Sequence, residues 1–372
     1  MEKAREHQQP LYMCFIDFQK AFDYVPHNKL FFTMLDMGFP PHVVDLLINL
    51  YKSQRAKVKV AGTMSDWLRI RRGVRQGCVL SPYLFNIFAE MAMRTALEGF
   101  DGGLRIGGRC ISNLRYADDI VLFATSVEEL QALVNRLHVA GLEFGLMVNV
   151  DKTKVLSMDD VVCNIRIGTE KLQQVDEFTY LGSLITKEGD CAKEIKLRLS
   201  KALGVGASLK RIWQSHHISI HTKIRLYKAL IWPIALYGCE SWTLKKVDER
   251  KLEAFEMKGL RMILRVSWTS KRTNDWVLNK AGVDRNILFT VRKRKMEYFG
   301  HLMRKEGECL EKQMIQGTLS GSRKRGRPRI RWFDNICEWM KIEAGSIMRM
   351  TSRRDEWRAA VHEAAKPRHG DG

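Results

Sequence analysis

Two adjacent aspartates, Asp118 and Asp119, stand inside the run NLRYADDIVLFA, where most other residues are apolar. Two carboxylates about 4 Å apart repel each other by roughly 4 kcal/mol at an effective dielectric constant near 20. Because an apolar hairpin would not keep two uncompensated charges, we expect a cation to neutralise them. Mg²⁺ is the economical choice, since it takes oxygen ligands from one or two carboxylates and fills its other positions with water and substrate phosphates.

A two-ion site of this kind needs a further carboxylate from another strand. Asp17 directly follows the apolar run LYMCFI, so it lies near the end of a predicted strand. In phosphoryl transfer, two divalent ions about 3.5–4 Å apart activate the attacking hydroxyl and stabilise the leaving oxygen. An Asp-Asp pair is also common in ordinary turns, where aspartate bonds its own backbone. From the residues alone, a plain turn, a nuclease and a polymerase all stay open.

The elements that would position these carboxylates alternate between strands and helices. We expect a hairpin from the segments KVKVAG and DWLRIRR, joined through Gly62-Thr63 and carrying one basic face. Ser81 as N-cap and Pro82 in the first turn predict a helix that continues to about residue 97. Ser126 and Glu129 form a predicted capping box before a further amphipathic helix. This mixture of hairpins, strands and helices predicts an α+β domain.

Composition limits the class of protein. The chain has 372 residues, 62 Lys and Arg against 42 Asp and Glu, a net charge of +20 and a pI near 9.7. This excess favours a polyanionic partner, with nucleic acid as the first candidate and an anionic membrane surface as the second. The eight cysteines are scattered without a CxxC pair, so the pattern supports neither a zinc knuckle nor a disulfide framework. No secretory signal or membrane span is visible, which favours an intracellular, reduced protein.

Five segments occur in an order that narrows the function. They are CFIDFQKAFDYVPHNKL, RRGVRQGCVLSPYLFNIFAE, LRYADDIVLFA, GLMVNVDKTK and EFTYLGSLIT. Together they resemble motifs A to E of the reverse transcriptases, in particular those of non-LTR (LINE-type) retrotransposons of the BovB/RTE-like group. The later segments LYGCESW, YFGHLMR and KRGRPRIRWFD resemble the region that follows the polymerase in those elements, so the resemblance covers nearly the whole chain.

The resemblance implies a fold and an activity. The expected fold class is α+β: a reverse-transcriptase palm, an antiparallel sheet with packed helices and partial fingers (1–188), followed by a helical thumb-like region (189–240) and a basic C-terminal nucleic-acid-binding region (241–372). The implied reaction is RNA-directed DNA synthesis, in which a primer 3′-hydroxyl attacks the α-phosphate of a deoxynucleoside triphosphate. The implied cofactor is a pair of Mg²⁺ ions, with Mn²⁺ as an alternative, and the implied partners are an RNA template, a DNA primer or target, and dNTPs.

Roles of individual residues follow where the motifs match. Asp17, Asp118 and Asp119 correspond to the catalytic, metal-binding triad, with Asp119 the less certain ligand. The implied substrate-binding residues are Phe22 against the incoming sugar, Arg75, Gln76 and Gly77 at the template and nascent base pair, and Lys152 near the triphosphate. Tyr180, Leu181 and Gly182 resemble the primer grip. Outside this resemblance, Phe22 reads as an ordinary core aromatic, Lys152 as a solvated turn residue and the YLG segment as a plain strand turn.

The basic tail has more than one interpretation. Its candidate nucleic-acid-binding residues are Arg323, Lys324, Arg325, Arg327, Arg329 and Arg331. The RGRP segment within them has the core of an AT-hook, which lies in the narrow minor groove of A·T-rich DNA. A nuclear-localisation signal and a non-specific phosphate-binding strip are the alternatives. The implied location is a nuclear or cytoplasmic ribonucleoprotein.

Two hypotheses about function follow. In the first, the chain is a reverse transcriptase that lacks the endonuclease and most of the fingers of a complete element, so that polymerisation by this chain alone is expected to be weak or absent. In the second, it is a non-catalytic nucleic-acid-binding remnant of such an element. A maturase-like or telomerase-like relative fits less well, because the tail segments match LINE-type elements better.

Overall fold

The structure is a computed structural model that describes residues 1–307, 309–322, 326 and 328–366, apart from the side chain of Trp268. The described chain forms two compact units. Unit 1 contains Met1 and residues 3–181 and 319–322, whereas unit 2 contains Glu2, residues 182–318 and the described residues after 322. Helices and strands occur together, so the predicted α+β class is confirmed.

The elements of unit 1 surround one sheet. Its helices are α1 (Glu2–Glu6, whose first residue belongs to unit 2), α2 (Ala21–Tyr24), α3 (His27–Asp36), α4 (Pro41–Lys52), α5 (Ser81–Leu97) and α6 (Val127–Phe144). Its strands are β1 (Tyr12–Ile16), β2 (Arg55–Ala56), β3 (Lys59–Val60), β4 (Thr63–Met64), β5 (Leu68–Arg69), β6 (Leu104–Ile106), β7 (Arg109–Ile111), β8 (Asn113–Tyr116), β9 (Asp119–Ala124), β10 (Lys154–Ser157), β11 (Arg166–Ile167), β12 (Glu170–Lys171), β13 (Gln173–Gln174) and β14 (Glu177–Tyr180).

The main sheet has the order β13-β10-β1-β9-β8. Strand β1 is central and antiparallel to both neighbours, β9 and β10, and only the edge strand β13 runs parallel to its partner. All five residues of β1 are buried, which explains why its sequence is continuously apolar. Helices α5 and α6 share the hydrophobic core with this sheet, so the predicted antiparallel sheet with packed helices is confirmed.

Two predictions about helix starts need correction. Ser81 is the first residue of α5 and not its N-cap, because its hydroxyl donates to the Arg75 carbonyl at 2.5 Å. Ser126 does cap α6, accepting from the Glu129 amide at 3.1 Å. The carboxylate of Glu129 does not complete the predicted capping box, since it accepts from Thr125 and from the Gly103 amide instead.

The predicted basic hairpin is present, with a turn one residue earlier than expected. Val60 pairs with Thr63, so the two-residue turn is Ala61-Gly62. Both residues have positive φ, 48° and 89°, a combination that matches the twist of a hairpin and that glycine adopts at little cost. We call residues 55–72 the arm; its four strands are short and mostly exposed.

Unit 2 is almost entirely helical. It contains β15 (Ser183–Thr186), α7 (Ala192–Ser208), α8 (Lys210–Gln214), α9 (Ile220–Leu226), a π-helical turn (Tyr227–Ile231), α10 (Trp232–Ala235), α11 (Lys246–Leu264), α12 (Asn274–Ala281), α13 (Ile287–Arg304), α14 (Leu310–Gln316), α15 (Trp332–Met340), α16 (Ala344–Met350) and α17 (Arg354–Ala365), with 3₁₀ turns at Cys239–Ser241 and Trp268–Ser270. One hydrophobic core runs from Ile195 to Ala365. The predicted thumb-like and C-terminal regions therefore share a core in the described part of the chain.

Among the described residues, no helix combines the length and the apolar composition that crossing a membrane requires.

Candidate active site

The pairing of β1 with β9 brings the predicted carboxylates together. Ile16 lies opposite Ile120 in an antiparallel register. Continuing this register by one residue sets Asp17, just after β1, opposite Asp119, the first residue of β9. Asp118 occupies the turn between β8 and β9, next to Asp119. Side chains far apart in sequence therefore meet at one end of the sheet because the strands run in opposite directions.

The turn that carries Asp118 has an unusual backbone. Tyr116 pairs with Asp119, so Ala117 and Asp118 form a two-residue turn. Ala117 has a φ of 54°, in the left-handed region that costs a non-glycine residue roughly 1 kcal/mol or more. Strained residues of this kind cluster at functional sites, where the surrounding structure holds them.

The aspartates are more accessible than their apolar flanks predict. Asp119 is exposed and Asp118 is half-buried, while the β9 residues Ile120, Val121 and Leu122 are buried. The expectation of a buried hairpin is thus correct for most of β9 and wrong for β8 and for the turn. A site that receives a large ligand has to be open at the carboxylates, and only the strand behind them needs burial.

Negative charge is concentrated at this end of the sheet. Desolvation raises the pKa of Asp119 above its ordinary value, and the neighbouring carboxylates of Asp118 and Asp17 raise it further. The Oδ2 atom of Asp17 is buried and accepts no hydrogen bond. Lys152 Nζ lies 3.8 Å from that oxygen, on a side chain that is itself largely exposed.

A loop after α6 holds the backbone of Asp17 in place. The Asn149 amide donates to the Asp17 carbonyl at 2.7 Å, and the Asp17 amide donates to Thr153 Oγ1 at 3.2 Å. Asn149 Oδ1 in turn accepts from the Lys152 amide at 3.3 Å. Lys152 therefore reaches Asp17 because the loop that carries it is bonded on both sides of that residue.

Phe22 and the predicted template-side residues lie on neighbouring segments. The Phe22 ring stacks on Phe85 with centroids 4.3 Å apart, and its carbonyl accepts from the Val74 amide at 2.8 Å. Gln76 Nε2 donates to Asp23 Oδ1 at 3.4 Å, and Arg75 donates to the Leu50 carbonyl at 2.7 Å.

Gly77 is exposed, has a φ of 80° and has no atom within 4 Å of the position where a Cβ would stand. Conformational freedom, and not close packing, thus favours glycine there.

The predicted primer-grip residues divide between the two units. Tyr180, in unit 1, donates its hydroxyl to the Asp119 carbonyl at 3.2 Å, and burial raises its pKa to about 12. Leu181 and Gly182 both have positive φ, 47° and 80°. Gly182 belongs to unit 2, where its carbonyl accepts a hydrogen bond from Arg198.

The structure describes only part of the basic tail. Arg323, Lys324, Arg325 and Arg327 lie outside the described residues. Arg329 is exposed. Arg331 is the N-cap residue of α15 and forms a bidentate pair with Asp334, at 2.8 and 3.1 Å, while the Asp334 carboxylate also accepts from the Arg331 amide at 2.8 Å. The charge of Arg331 therefore has a structural role at the start of α15, in addition to any contact with a ligand.

The carboxylates provide oxygen ligands for a divalent ion, but they fill only part of its coordination shell. In the described part of the chain, no three His, Cys, Asp or Glu side chains are grouped as a ready-made metal site. Asp17 Oδ2 accepts no hydrogen bond, the pKa of Asp119 is raised, and the lysine paired with Asp17, Lys152 at 3.8 Å, leaves an excess of negative charge among the three carboxylates. Mg²⁺ commonly binds through one or two carboxylates, with water and substrate phosphates completing its shell, so the donor set suits it.

Sequence reasoning missed several supporting residues. Thr153 is completely buried and bonds the Asp17 amide, and Phe85 supports the Phe22 ring. Phe15 stacks on Phe178 at 4.4 Å and contacts Tyr180 at 5.5 Å between ring centroids. Only the apolar character of these aromatics was visible in the sequence, because their partners are set by the pairing of distant strands.

Comparison with known proteins agrees with this geometry. Residues 1–185 match the family model described as reverse transcriptase (RNA-dependent DNA polymerase). The Pol polyprotein of the type-1 retrotransposable element R2 from Nasonia vitripennis is 29% identical over 53% of this chain and 20% of its own length. The RNA-directed DNA polymerase of the mobile element jockey from Drosophila funebris is 24% identical over 73% of this chain and 30% of its own length.

A telomerase from Candida tropicalis, in complex with a telomeric RNA fragment, aligns with 85% of this chain and 50% of its own, at 14% identity and a TM-score of 0.37. This chain spans a fifth to under a third of the two retrotransposon relatives. Through residues 1–185, which hold the three carboxylates, the chain belongs to the reverse transcriptase family, and it is of the non-LTR retrotransposon type.

Proposed function

We propose that this chain carries the polymerase site of a non-LTR retrotransposon, of the BovB/RTE-like group, and adds deoxynucleotides to a DNA primer on an RNA template. One observation carries the proposal. The antiparallel register of β1 and β9 sets Asp17 opposite Asp119 and beside Asp118, with the Oδ2 atom of Asp17 left without a hydrogen bond. The site is also open, as a nucleic-acid substrate requires.

Two divalent ions, Mg²⁺ or alternatively Mn²⁺, would supply activation of the primer hydroxyl and stabilisation of the leaving oxygen. Asp17 and Asp118 would hold them, with Asp119 contributing negative charge and a weaker contact. The hydrogen bonds from Asn149 and to Thr153 would fix Asp17, so that its carboxylate need not reorganise during the reaction.

Lys152 would stand near the triphosphate. Its Nζ lies 3.8 Å from Asp17 Oδ2, and its largely exposed side chain is free to move toward an incoming phosphate. There it would neutralise charge or protonate the departing pyrophosphate. Phe22, supported by Phe85, would pack against the sugar and exclude a 2′-hydroxyl.

The remaining contacts would hold the two strands. No atom lies within 4 Å of the position where a Cβ on Gly77 would stand, so the backbone there would approach the nascent base pair. Arg75 and Gln76 would offer hydrogen-bond donors and an acceptor beside it. Tyr180, Leu181 and Gly182 would hold the primer strand. Arg323, Lys324, Arg325, Arg327, Arg329 and Arg331 would add phosphate contacts that weaken steeply with salt. The site of action would be a ribonucleoprotein.

The test is extension of a labelled DNA primer on an RNA template by the full chain. We expect Mg²⁺-dependent extension, weak for this chain alone, that disappears in Asp118→Ala. The matched control is Asp36→Ala, which removes an exposed aspartate at the end of α3 and should leave extension unchanged.

Binding of the same primer–template duplex separates the outcomes. One outcome is that the duplex binds with a steep salt dependence while the wild-type chain extends the primer no more than Asp118→Ala does. In that case the chain is a non-catalytic binding remnant and the polymerase proposal is wrong.

A further inference from the structure

A second site in unit 1 lies apart from the carboxylates. It is a cavity of about 630 Å³ formed by the first turn of α3, the end of α4, residues 69–72 of the arm and residues 142–145 at the end of α6. We call it the basic pocket. It contains none of the residues assigned above to catalysis, substrate binding or the primer.

Positive charge predominates in the lining of the basic pocket. Five cationic side chains line it, against the single carboxylate of Glu143; they are Lys29, Lys52, Arg69, Arg71 and Arg72. All five are exposed. In the described part of the chain, Lys52, Arg69, Arg71 and Arg72 have no hydrogen bond or ion pair from their side chains. Such a set of unmatched cations attracts an anion with several charges.

The start of helix α3 adds backbone donors to the basic pocket. Pro26, His27, Asn28 and Lys29 all line it, and α3 begins at His27. The first amides of a helix have no acceptor within it, and they carry the positive end of the helix dipole. No side chain caps this end and its first turn contains no acidic residue. A phosphate group suits such a helix start.

An unbonded hydroxyl supplies independent support. Tyr51 lines the basic pocket, is 2% exposed, and its hydroxyl has no hydrogen-bond partner. A buried hydroxyl without a partner costs roughly 1–3 kcal/mol, so it is normally retained only where something accepts from it. The His27 ring packs edge-on against Tyr51, with centroids 4.9 Å apart, and so holds the phenol in place.

The end of the arm is anchored to the start of α3, which fixes the backbone next to Arg71 and Arg72. His27 Nε2 donates to the Gly73 carbonyl at 2.8 Å, and the Gly73 amide donates to the Val25 carbonyl at 2.8 Å. Gly73 has a φ of 89°, and a Cβ on it would stand 2.8 Å from the Asp23 carbonyl oxygen. Only glycine fits there, and its neighbours Arg71 and Arg72 are positioned as a result.

We infer that the basic pocket binds consecutive phosphate groups of a single nucleic-acid strand, at a site separate from the polymerase carboxylates. The five cations lie on three elements, α3, α4 and the arm. They therefore offer phosphate positions spread over three elements, as a strand requires, whereas the phosphates of a free nucleotide are adjacent to one another. Phe144 is half-buried with Lys29 Nζ 5.9 Å from its ring centroid, and it gives a base an apolar surface beside the cations.

The test measures binding of a fluorescent 20-nucleotide single-stranded RNA to the full chain by anisotropy at several salt concentrations. The Asp118→Ala chain serves as background, so that loss of polymerisation and loss of strand binding are read separately. We expect Arg71→Gln with Arg72→Gln to lower the affinity about ten-fold or more, and to reduce the slope of log K against log salt by about 1.4.

The matched control removes two charges from the same arm outside the pocket. Lys57→Gln with Lys59→Gln changes two exposed lysines of the arm that do not line the cavity. The control should have a clearly smaller effect; equal losses in both double variants would mean diffuse attraction and overturn the inference.

Tyr51→Phe tests the hydroxyl without changing charge. We expect affinity for the RNA to fall about five-fold, because a bond to a charged phosphate oxygen is lost, while the melting temperature stays the same or rises. Unchanged affinity together with a raised melting temperature would overturn the inference.

Competition distinguishes the sources of phosphate. Inorganic phosphate and a deoxynucleoside triphosphate should displace the RNA only at far higher concentration than unlabelled strand does. Displacement by the triphosphate at the strand's own concentration would assign the pocket to a free nucleotide and refute a strand site.

Discussion

The two units handle charge in opposite ways. In unit 2, Arg198 and Glu194 form an ion pair at 2.7 Å with side chains 9% and 4% exposed. Arg292 and Glu249 form another at 3.0 Å, with side chains 7% and 10% exposed. In unit 1, three carboxylates meet at the end of the sheet, and the ion pair described for Asp17 is with an exposed lysine, Lys152, at 3.8 Å.

This difference distinguishes charges that stabilise the fold from charges that are available to bind a ligand. A buried charge is tolerated when a partner and hydrogen bonds compensate its desolvation, as in unit 2. Charges without a partner, in an open position, destabilise the fold and are typical of functional sites. The carboxylates, with the exposed Lys152 beside Asp17, and most cations of the basic pocket are closer to the second kind, with opposite signs.

The largest effect on stability is expected from breaking a matched pair in unit 2. Glu249→Gln leaves Arg292 buried without its counter-charge, so the free energy of unfolding should fall by about 3–5 kcal/mol. Urea denaturation followed by circular dichroism measures it. The control is Lys293→Gln, whose exposed pair with Glu297 at 3.8 Å should contribute about 1 kcal/mol or less. Equal losses in both variants would contradict the distinction between buried and exposed pairs.

A smaller effect on stability is expected from Lys295, a buried cation of unit 2 whose described hydrogen bonds go to neutral acceptors. Lys295 is completely buried and donates to the Trp242 carbonyl and to Asn335 Oδ1, both at 2.8 Å. Burial lowers its pKa to about 7, below the ordinary 10.5 of the unfolded chain. The unfolded state thus binds more protons between these values, so the stability of unit 2 should rise as pH increases from 7 toward 10.

Lys295→Met should flatten this rise, by on the order of 2–4 kcal/mol across the window, relative to the wild type. Urea denaturation at pH 7, 8 and 9 gives the difference between the two chains. An identical slope in both would mean that Lys295 stays protonated in the folded protein, held by the tryptophan rings whose centroids lie 4.9 and 5.3 Å from its Nζ.

The smallest effect, of opposite sign, is expected at the carboxylates. Desolvation, Asp118 and Asp17 raise the folded pKa of Asp119, so its charged form destabilises the fold once pH exceeds that pKa. Asp119→Asn should therefore raise stability at pH 7 only slightly, because solvent screens an exposed carboxylate, and leave it nearly unchanged at pH 3. Thermal melts at both pH values measure this, and a lower melting temperature at pH 7 would show that Asp119 is a matched structural charge.

Much of the fold and the candidate site could be predicted from local sequence. The apolar run before Asp17 predicted β1, and the pattern around Asp118 predicted the hairpin of β8 and β9. Ser126 was correctly predicted to cap α6, and Gly145 ends that helix with a φ of 78°. These features depend on neighbours along the chain, so residue type and spacing are sufficient to indicate them.

Errors arose where a distant partner competed with a local one. Ser81 does not cap α5 because the Arg75 carbonyl accepts from its hydroxyl, and Glu129 bonds Thr125 and Gly103 instead of completing its box. The turn at Asp118 is open although its flanks are apolar, since burial is decided by what packs over a segment. Neither the partner nor the packing is encoded in spacing.

The sequence by itself determined the reverse-transcriptase motifs, their order, the positive net charge and the chemical types of the site residues. Only the tertiary structure decided that Asp17 faces Asp119, that Asn149 and Thr153 hold it from both sides, and that the arm closes against α3 around Tyr51. The physical reason is that charges and hydrogen-bond donors act over a few ångströms. Strand register and helix packing decide which of them come that close.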